Sequence, residues 1–302
     1  MDEISALLNS MASALPDVEI RQNEPMKNHT SFKIGGPVRA MIFPKTENET
    51  VSLCKLCRET GVIPMVMGNG SNILATDKAL SRVVINTSKL KNIELTETVI
   101  KADAGALLSA IAVFALDNEL TGFEFAHGIP GSIGGAVVMN AGAYGGEMKD
   151  VIVTTTVYSN KTGLYEIKDE QHEFSYRHSR FSLSDDFIIS STIRLQKGNK
   201  EEIRQKMNEL SAKRRASQPL DLPSAGSTFK RPVNGYAAEL IDRAGLKGFS
   251  IGAAEVSSKH AGFIVNKGGA TFSDTMKLIE HVQKTVLKEF GITLEPEIKL
   301  FS

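Results

Sequence analysis

Seven glycines fall between Gly128 and Gly146, in G-I-P-G-S-I-G-G-A-V-V-M-N-A-G-A-Y-G-G, yet the stretch is not low in complexity. Ile129, Ile133, Val137, Val138 and Met139 are threaded among them, and a flexible linker has no use for apolar side chains. Glycine loses more entropy on folding than any other residue. A buried glycine cluster therefore marks backbone that approaches something closely or turns through φ > 0. Successive N–H groups in such a loop can cradle an anion, phosphate above all. The stretch reads as the wall of a cofactor site.

Composition limits what can surround that wall. The chain has 302 residues, room for two domains or three small ones. A zero formal net charge argues against broad electrostatic attachment to nucleic acid or anionic membrane. Aromatics at 6%, with no Trp, leave few platforms for stacked bases. The N-terminus, M-D-E-I-S-A-L-L-N-S-M-A-S-A-L-P-D, starts acidic and lacks the basic segment and continuous apolar run of a signal peptide. No run of about 18 apolar residues is present, so no transmembrane span is expected. The expectation is a cytoplasmic protein with no nucleic-acid, membrane or obligate protein partner.

The two cysteines, Cys54 and Cys57, form C-x-x-C on a predicted amphipathic helix over 47–60. Zinc needs two further ligands, and no other cysteine exists. Buried helix thiols are the favoured reading over a redox dithiol. The six histidines show no metal spacing.

Hydrophobic periodicity predicts strands at 38–43, 62–67, 83–86, 93–95 and 99–102, then a helix at 106–118. The glycine-rich loop follows, then strands at 151–159, 164–168 and 187–195. The polar turn Gln196–Lys200 precedes a charged helix over 201–215. From Gln218 the chain reads as a separate unit. It has an extended entry to Ser227, a helix at 235–244, strands near Ile251 and at 263–265, and a helix over 273–290. Ser273 is the expected N-cap of that helix and Gly291 its C-cap. A final strand is expected at 298–301. The whole is α+β.

Four motifs carry chemistry. Gly68-Asn69-Gly70-Ser71-Asn72 directly follows a strand, where a phosphate-binding turn belongs. Its sixth position is Ile73, so the dinucleotide fingerprint is incomplete, and no GK[ST] follows either loop. It is a plain turn or one of two amide-rich grips on a single dinucleotide. Ser-Tyr-Arg-His-Ser-Arg-Phe, 175–181, is a polar strand edge or a cationic group aimed at an anion. Ser227, in A-G-S-T-F-K, lacks the G-x-S-x-G context of a hydrolase nucleophile. Glu297, on the last strand, is a solvated carboxylate or, in a cleft, an acid/base group.

In this order the motifs resemble the UDP-N-acetylenolpyruvoylglucosamine reductase family, the MurB enzymes. The resemblance rests on N-H-T-S-F-K-I-G-G-P (28–37), M-G-N-G-S-N-I-L (67–74), the 128–147 stretch, S-Y-R-H-S-R-F (175–181), A-G-S-T-F-K-R-P (225–232), H-A-G-F-I-V-N (260–266) and L-E-P-E-I (294–298). The first two thirds also resemble the vanillyl-alcohol-oxidase class of flavoproteins. The implied fold is a two-subdomain FAD-binding unit, 1–90 and 91–200, plus a C-terminal α+β substrate domain, 201–302.

The resemblance implies FAD and NADPH as cofactors. Hydride from NADPH passes through the flavin to C3 of the enolpyruvyl group of UDP-N-acetylglucosamine enolpyruvate, giving UDP-N-acetylmuramate for peptidoglycan and the cell wall. It implies Ser227 as proton donor to C2, with Arg177 and Glu297 polarising the carboxylate and stabilising an enediolate-like intermediate. A cleft where the third segment faces the flavin follows from that assignment. FAD contacts are implied at Gly68, Asn69, Gly70, Ser71, Asn72, Ile129, Pro130, Gly131, Ser132, Gly134, Gly135, Asn140, Ala141, Gly142 and Tyr144. The amides of Gly68–Asn72 and Ile129–Gly135 are expected to grip the pyrophosphate. Gln218, Lys230 and Arg231 are the implied substrate contacts.

The chain departs from the family pattern in three places. Only Gln196–Lys200 separates Leu195 from the next helix, so it resembles the branch without the Tyr-bearing substrate-capping loop. Arg231 stands where many relatives carry Asn, and Lys299 where many carry Arg. Two rival readings are a flavin oxidase, with His127 as a point of covalent attachment, and a nucleotide-binding module without turnover.

Overall fold

The computed structural model describes residues 2–233 and 235–302. The chain groups into two compact units. The first comprises Met1–Gln22, Ala40–Asn69 and Arg82–Ala212. The second comprises Asn23–Arg39, Gly70–Ser81 and Lys213–Ser302.

The first unit has two cores. One lies on a sheet ordered Glu19–Pro25, Pro37–Phe43, Leu80–Asn86, Met65–Met67, most of which belongs to this unit. Alternation along 40–43 and 83–85 turns Ala40, Ile42, Val83 and Ile85 to the helices Glu3–Ala14 and Glu47–Glu59, where Leu7, Met11, Leu53, Cys54 and Cys57 meet them. Thr46 caps the second helix, its hydroxyl accepting from the Glu49 N–H at 3.1 Å. The C-x-x-C pair is thus a core face: both thiols are buried and free, and burial pushes each pKa up to about 12.

The second core lies on an antiparallel sheet ordered Gly163–Lys168, Ile152–Ser159, Phe187–Arg194, Val99–Asp103, Ile93–Thr96. Helices Leu108–Asp117 and Ile133–Met139 cover it through Leu108, Ile111, Ala115, Ile133 and Val137, and Ile203 and Met207 of helix Lys200–Ser217 join them.

The second unit has an antiparallel sheet ordered Ser224–Ser227, Phe263–Asn266, Ala254–Val256, Ser250–Ile251. Leu240 and Ile241 of helix Ala237–Arg243 and Leu278, Ile279, Val282 and Val286 of helix Phe272–Phe290 pack in one core with Ala254, Val256 and Ile264. Phe32, Ile34 and Leu74 belong to the same core. The short strand Ile73–Ala75 pairs in parallel with Lys299–Phe301, Leu74 opposite Leu300.

Several expectations need correcting. The glycine-rich stretch is not all loop, because Ile133–Met139 is helical. Helix Glu3–Ala14 and strand Glu19–Pro25 were not anticipated. The extended entry narrows to Ser224–Ser227. The last helix is capped by Thr271, not Ser273: the Thr271 hydroxyl accepts from the Asp274 N–H at 3.0 Å, and the Asp274 carboxylate accepts from the Thr271 N–H at 3.2 Å. Gly291 closes it in the left-handed conformation, φ 68°, as expected. Among the described residues, no helix is long and apolar enough to cross a membrane.

Candidate active site

Within the first unit the two glycine-rich segments lock together. The Asn69 amide Nδ2 donates to the Pro130 carbonyl at 2.7 Å. A Cβ at position 68 would lie 2.0 Å from Ser132 Oγ, so only glycine admits this approach. Ser132 is 1% exposed, and its hydroxyl has no partner among the described residues. Burying a hydroxyl without a hydrogen bond is unfavourable, which makes Ser132 Oγ a donor in want of an acceptor.

The main chain adds more donors. Among the described residues, the N–H groups of Gly68, Asn69, Gly131, Ser132 and Gly135 have no acceptor in the chain. The expectation that all of Ile129–Gly135 offers its amides is narrowed: Ile129, Ile133 and Gly134 donate to the carbonyls of Ala126, Ala106 and Ala104, and Pro130 has no N–H. In the second unit the N–H groups of Gly70, Ser71 and Asn72 are likewise without acceptors, while the carbonyls of Gly70 and Asn72 receive the N–H of Ser31 and Lys299. A phosphate-rich group satisfies such donors, so the free N–H groups of the first unit by themselves fit the pyrophosphate of a dinucleotide.

Farther along, Asn140 ends the Ile133–Met139 helix in the left-handed region, φ 41°. Its side chain is wholly engaged by the protein, donating to Glu147 Oε2 and the Ser175 carbonyl and accepting from the Lys149 N–H. The Ala141 N–H donates to the Ala136 carbonyl. Strand Gly142–Ala143 pairs with Gly146–Glu147, and Tyr144 stands exposed between them at φ 54°.

Arg177 sits at the tip of a hairpin. Ser175 and His178 exchange backbone hydrogen bonds of 3.0 and 3.2 Å. The turn needs a positive φ at its second tip residue, a place where glycine is usual, and Arg177 fills it at φ 53°. Holding a non-glycine residue there costs roughly 1–3 kcal/mol, which points to function for the side chain. The guanidinium lies 5.1 Å from the Tyr176 ring centroid, and Nη2 donates to the Gly142 carbonyl at 3.4 Å. Below the hairpin, buried His172 stacks on Phe174 with centroids 4.8 Å apart and meets Thr155 Oγ1 through Nε2 at 2.9 Å.

In the second unit Ser227 ends strand Ser224–Ser227, and Glu297, expected on the last strand, lies just before that strand, Lys299–Phe301, beside the residue that follows Ser227. The Glu297 N–H donates to the Thr228 carbonyl at 2.8 Å, Phe229 bridges Pro296, and the Lys230 N–H donates to the Glu295 carbonyl at 2.8 Å. Thr228 anchors this ladder, its N–H reaching the Gly262 carbonyl and its hydroxyl accepting from the Ile264 N–H at 3.1 Å. The half-buried Ser227 hydroxyl has no partner among the described residues. Gln218 Oε1 is buried and has no partner among the described residues. Lys230 Nζ pairs with Glu295 Oε2 at 3.2 Å, and the Arg231 guanidinium lies 4.4 Å from the Tyr236 ring centroid.

Sequence reasoning missed Ser31 and Thr228. The Ser31 hydroxyl donates to the Ser224 carbonyl at 2.6 Å and its N–H to the Gly70 carbonyl, tying the glycine turn to the Ser227 strand. Small hydroxyls in local motifs give no sign of such distant partners. His127 Nδ1 is buried without a partner, and burial lowers its pKa below the usual value. Among the described residues no cluster of His, Cys, Asp or Glu could hold a metal ion.

Comparison with known proteins decides the family. Residues 38–166 match an FAD binding domain, and residues 218–301 match the C-terminal domain of UDP-N-acetylenolpyruvoylglucosamine reductase. The reductase of Caldanaerobacter subterraneus subsp. tengcongensis is 48% identical over 294 residues, 97% of each chain. The chain belongs to the UDP-N-acetylenolpyruvoylglucosamine reductase family. The crystal structure of the reductase from Thermus caldophilus superposes with a TM-score of 0.80 at 32% identity, covering 94% of this chain and 99% of that one. A glucose dehydrogenase, Phl p 4.0202, shares the fold alone, with a TM-score of 0.51 at 12% identity over 66% of this chain and 45% of its own. As a member of the reductase family the chain is an FAD-dependent oxidoreductase of peptidoglycan-precursor synthesis, an FAD-binding fold of the vanillyl-alcohol-oxidase type joined to a C-terminal α+β domain.

Proposed function

We propose that this chain, acting in the cytoplasm, reduces UDP-N-acetylglucosamine enolpyruvate to UDP-N-acetylmuramate with NADPH as electron donor. The observation that carries the proposal is the Ser227 hydroxyl. It is half-buried, without a partner among the described residues, and one residue along the ladder from the Thr228–Glu297 hydrogen bond. When bound, FAD supplies the hydride chemistry, taking hydride from NADPH and delivering it to C3 of the enolpyruvyl group.

The chain's own residues handle charge and proton. Hydride addition at C3 pushes electron density through C2 onto the carboxylate. Arg177 opposes that negative charge with a permanent cation, and Glu297 orders the substrate carboxyl and its hydrogen bonds. Ser227 gives its proton to C2. A serine hydroxyl is a weak acid, so the transfer depends on the enediolate being a strong base at C2. Gln218, Lys230 and Arg231 are proposed to hold the sugar nucleotide, Gln218 through its unpartnered Oε1. Gly68–Asn72, the stretch 129–135 and the stretch 140–144 are proposed as the flavin wall. In functional terms 1–90 and 91–200 form the flavin-binding halves and 201–302 the substrate part.

The test is a purified, yellow protein that oxidises NADPH when given the enolpyruvyl sugar nucleotide, beside Arg177→Ala. A colourless protein, or equal activity of Arg177→Ala and wild type, contradicts the proposal. The latter result favours a nucleotide-binding module.

A further inference from the structure

The hairpin that carries Arg177 is not held by its own two backbone hydrogen bonds alone. Four further bonds tie it to the end of helix Ile133–Met139 and the residues just after. The hydroxyls of Ser179 and Ser182 both donate to the Val138 carbonyl, at 2.8 and 3.1 Å. Arg177 Nη2 donates to the Gly142 carbonyl at 3.4 Å. Asn140 Nδ2 donates to the Ser175 carbonyl at 3.1 Å, at the base of the hairpin.

Asn140 is the hub of this frame. It is 0% exposed. Its Nδ2 also donates to Glu147 Oε2 at 2.9 Å, and its Oδ1 accepts from the Lys149 N–H at 3.0 Å. Both amide hydrogens and the amide oxygen are therefore engaged by protein. The same side chain fixes Glu147, whose strand pairs with Gly142, and Gly142 in turn receives Arg177. The carbonyl of Ser175 is itself half of the Ser175–His178 pair that sets the turn.

We infer that Asn140 is a positioning residue for Arg177: its side chain reaches back to the arginine hairpin instead of forward to the flavin, and only its backbone belongs to the cofactor wall. The inference rests on the proposed role of Arg177 in stabilising charge on the substrate. It makes the wall and the hairpin one mechanical piece, so the guanidinium is set by the same segment that sets the proposed flavin contacts 140–144.

Asn140→Gly separates side chain from backbone. Glycine adopts φ > 0 without strain, so the helix end keeps its conformation while the bonds to Ser175, Glu147 and Lys149 are lost. Asn140→Asp is the second variant, keeping an acceptor for Lys149 and losing both donors. In anaerobic stopped-flow, reduction of the bound flavin by NADPH should slow far less than its reoxidation, because glycine keeps the backbone of position 140 in place. Reoxidation by the enolpyruvyl sugar nucleotide should slow by about 10- to 100-fold, the scale of a misplaced catalytic group. A second readout needs no turnover: hydrogen exchange should accelerate at the amides of Ser175 and His178 while helix Ile133–Met139 keeps its protection.

Loss of flavin, equal slowing of both half-reactions, or unchanged exchange at Ser175 and His178 overturns the inference. Arg177→Ala is the reference. If it reoxidises at the wild-type rate, the proposed role of Arg177 and the inference fall together. If Arg177→Ala is slow while both Asn140 variants match wild type, the inference alone falls.

Discussion

Replacing Ser132 by alanine should stabilise the flavin-free chain and weaken its grip on flavin, two effects of opposite sign from one oxygen atom. Ser132 is 1% exposed and its Oγ has no partner among the described residues. Leaving such a hydroxyl unsatisfied costs about 1–3 kcal/mol. Alanine removes that penalty and leaves a gap no larger than one oxygen, which returns about 1 kcal/mol of the gain. The free chain should therefore gain about 0–2 kcal/mol. In the complex the hydroxyl would donate to a phosphate oxygen, and a hydrogen bond to a charged group contributes about 1.5–3 kcal/mol. Its loss should weaken FAD binding by about 10- to 150-fold. Urea unfolding of deflavinated protein gives the first quantity, and titration of that protein with FAD, read by fluorescence quenching, gives the second. A flavin affinity equal to wild type, or a free chain destabilised by the change, would refute the reasoning.

Gly68→Ala should also weaken flavin binding, because the new Cβ would lie 2.0 Å from Ser132 Oγ and 3.2 Å from Ser132 Cβ. The double variant with Ser132→Ala should lose less than the two single losses added, since removing Oγ removes the closest clash. Cys54 and Cys57, pushed up to about 12 by burial, should resist a thiol reagent at pH 8 in native protein and react fully in urea. Their joint replacement by alanine should leave turnover intact, and a drop in activity would restore a redox reading. Burial lowers the His172 pKa below the usual 6.5. The unfolded chain then binds that proton more readily, so its contribution to stability is complete above pH 6.5 and declines as pH falls below it. Urea midpoints between pH 5 and pH 8 should show a steeper acid-side loss in wild type than in His172→Gln.

The readable parts of the fold are those whose apolar residues make a local pattern. The helices at 47–59 and 272–290 were legible because each shows one apolar face at helical period, and the strand at 37–43 because a short apolar run stops at Pro44. Helix Ile133–Met139 was hidden by Gly134 and Gly135, poor helix formers. A Cβ at 134 would lie 2.9 Å from the Ala104 Cβ, so packing against a neighbour dictates glycine there in spite of propensity. The N-cap was misplaced because Thr271 and Ser273 are both capping residues, and only the reciprocal bond with Asp274 distinguishes them.

The stretches 23–39 and 70–81, within the segment 1–90, group with the C-terminal third through partners far along the chain. Phe32 offers its carbonyl to Asn266, and Leu74 lies opposite Leu300. No local pattern encodes such pairings. The motifs singled out Arg177, Ser227 and Glu297 as candidates. The hydrogen bonds around them, from Asn140 to Ser175 and from Glu297 to Thr228, became visible only in three dimensions.

Proton delivery by Ser227 can be tested directly in an anaerobic cuvette. NADPH-reduced Ser227→Ala protein is mixed with the enolpyruvyl sugar nucleotide, and return of the yellow colour is followed at the flavin absorbance maximum. Removing a general acid should slow that return by about 10²- to 10⁴-fold while bleaching by NADPH stays at the wild-type rate. Colour returning as fast as in wild type would show that C2 receives its proton from another group.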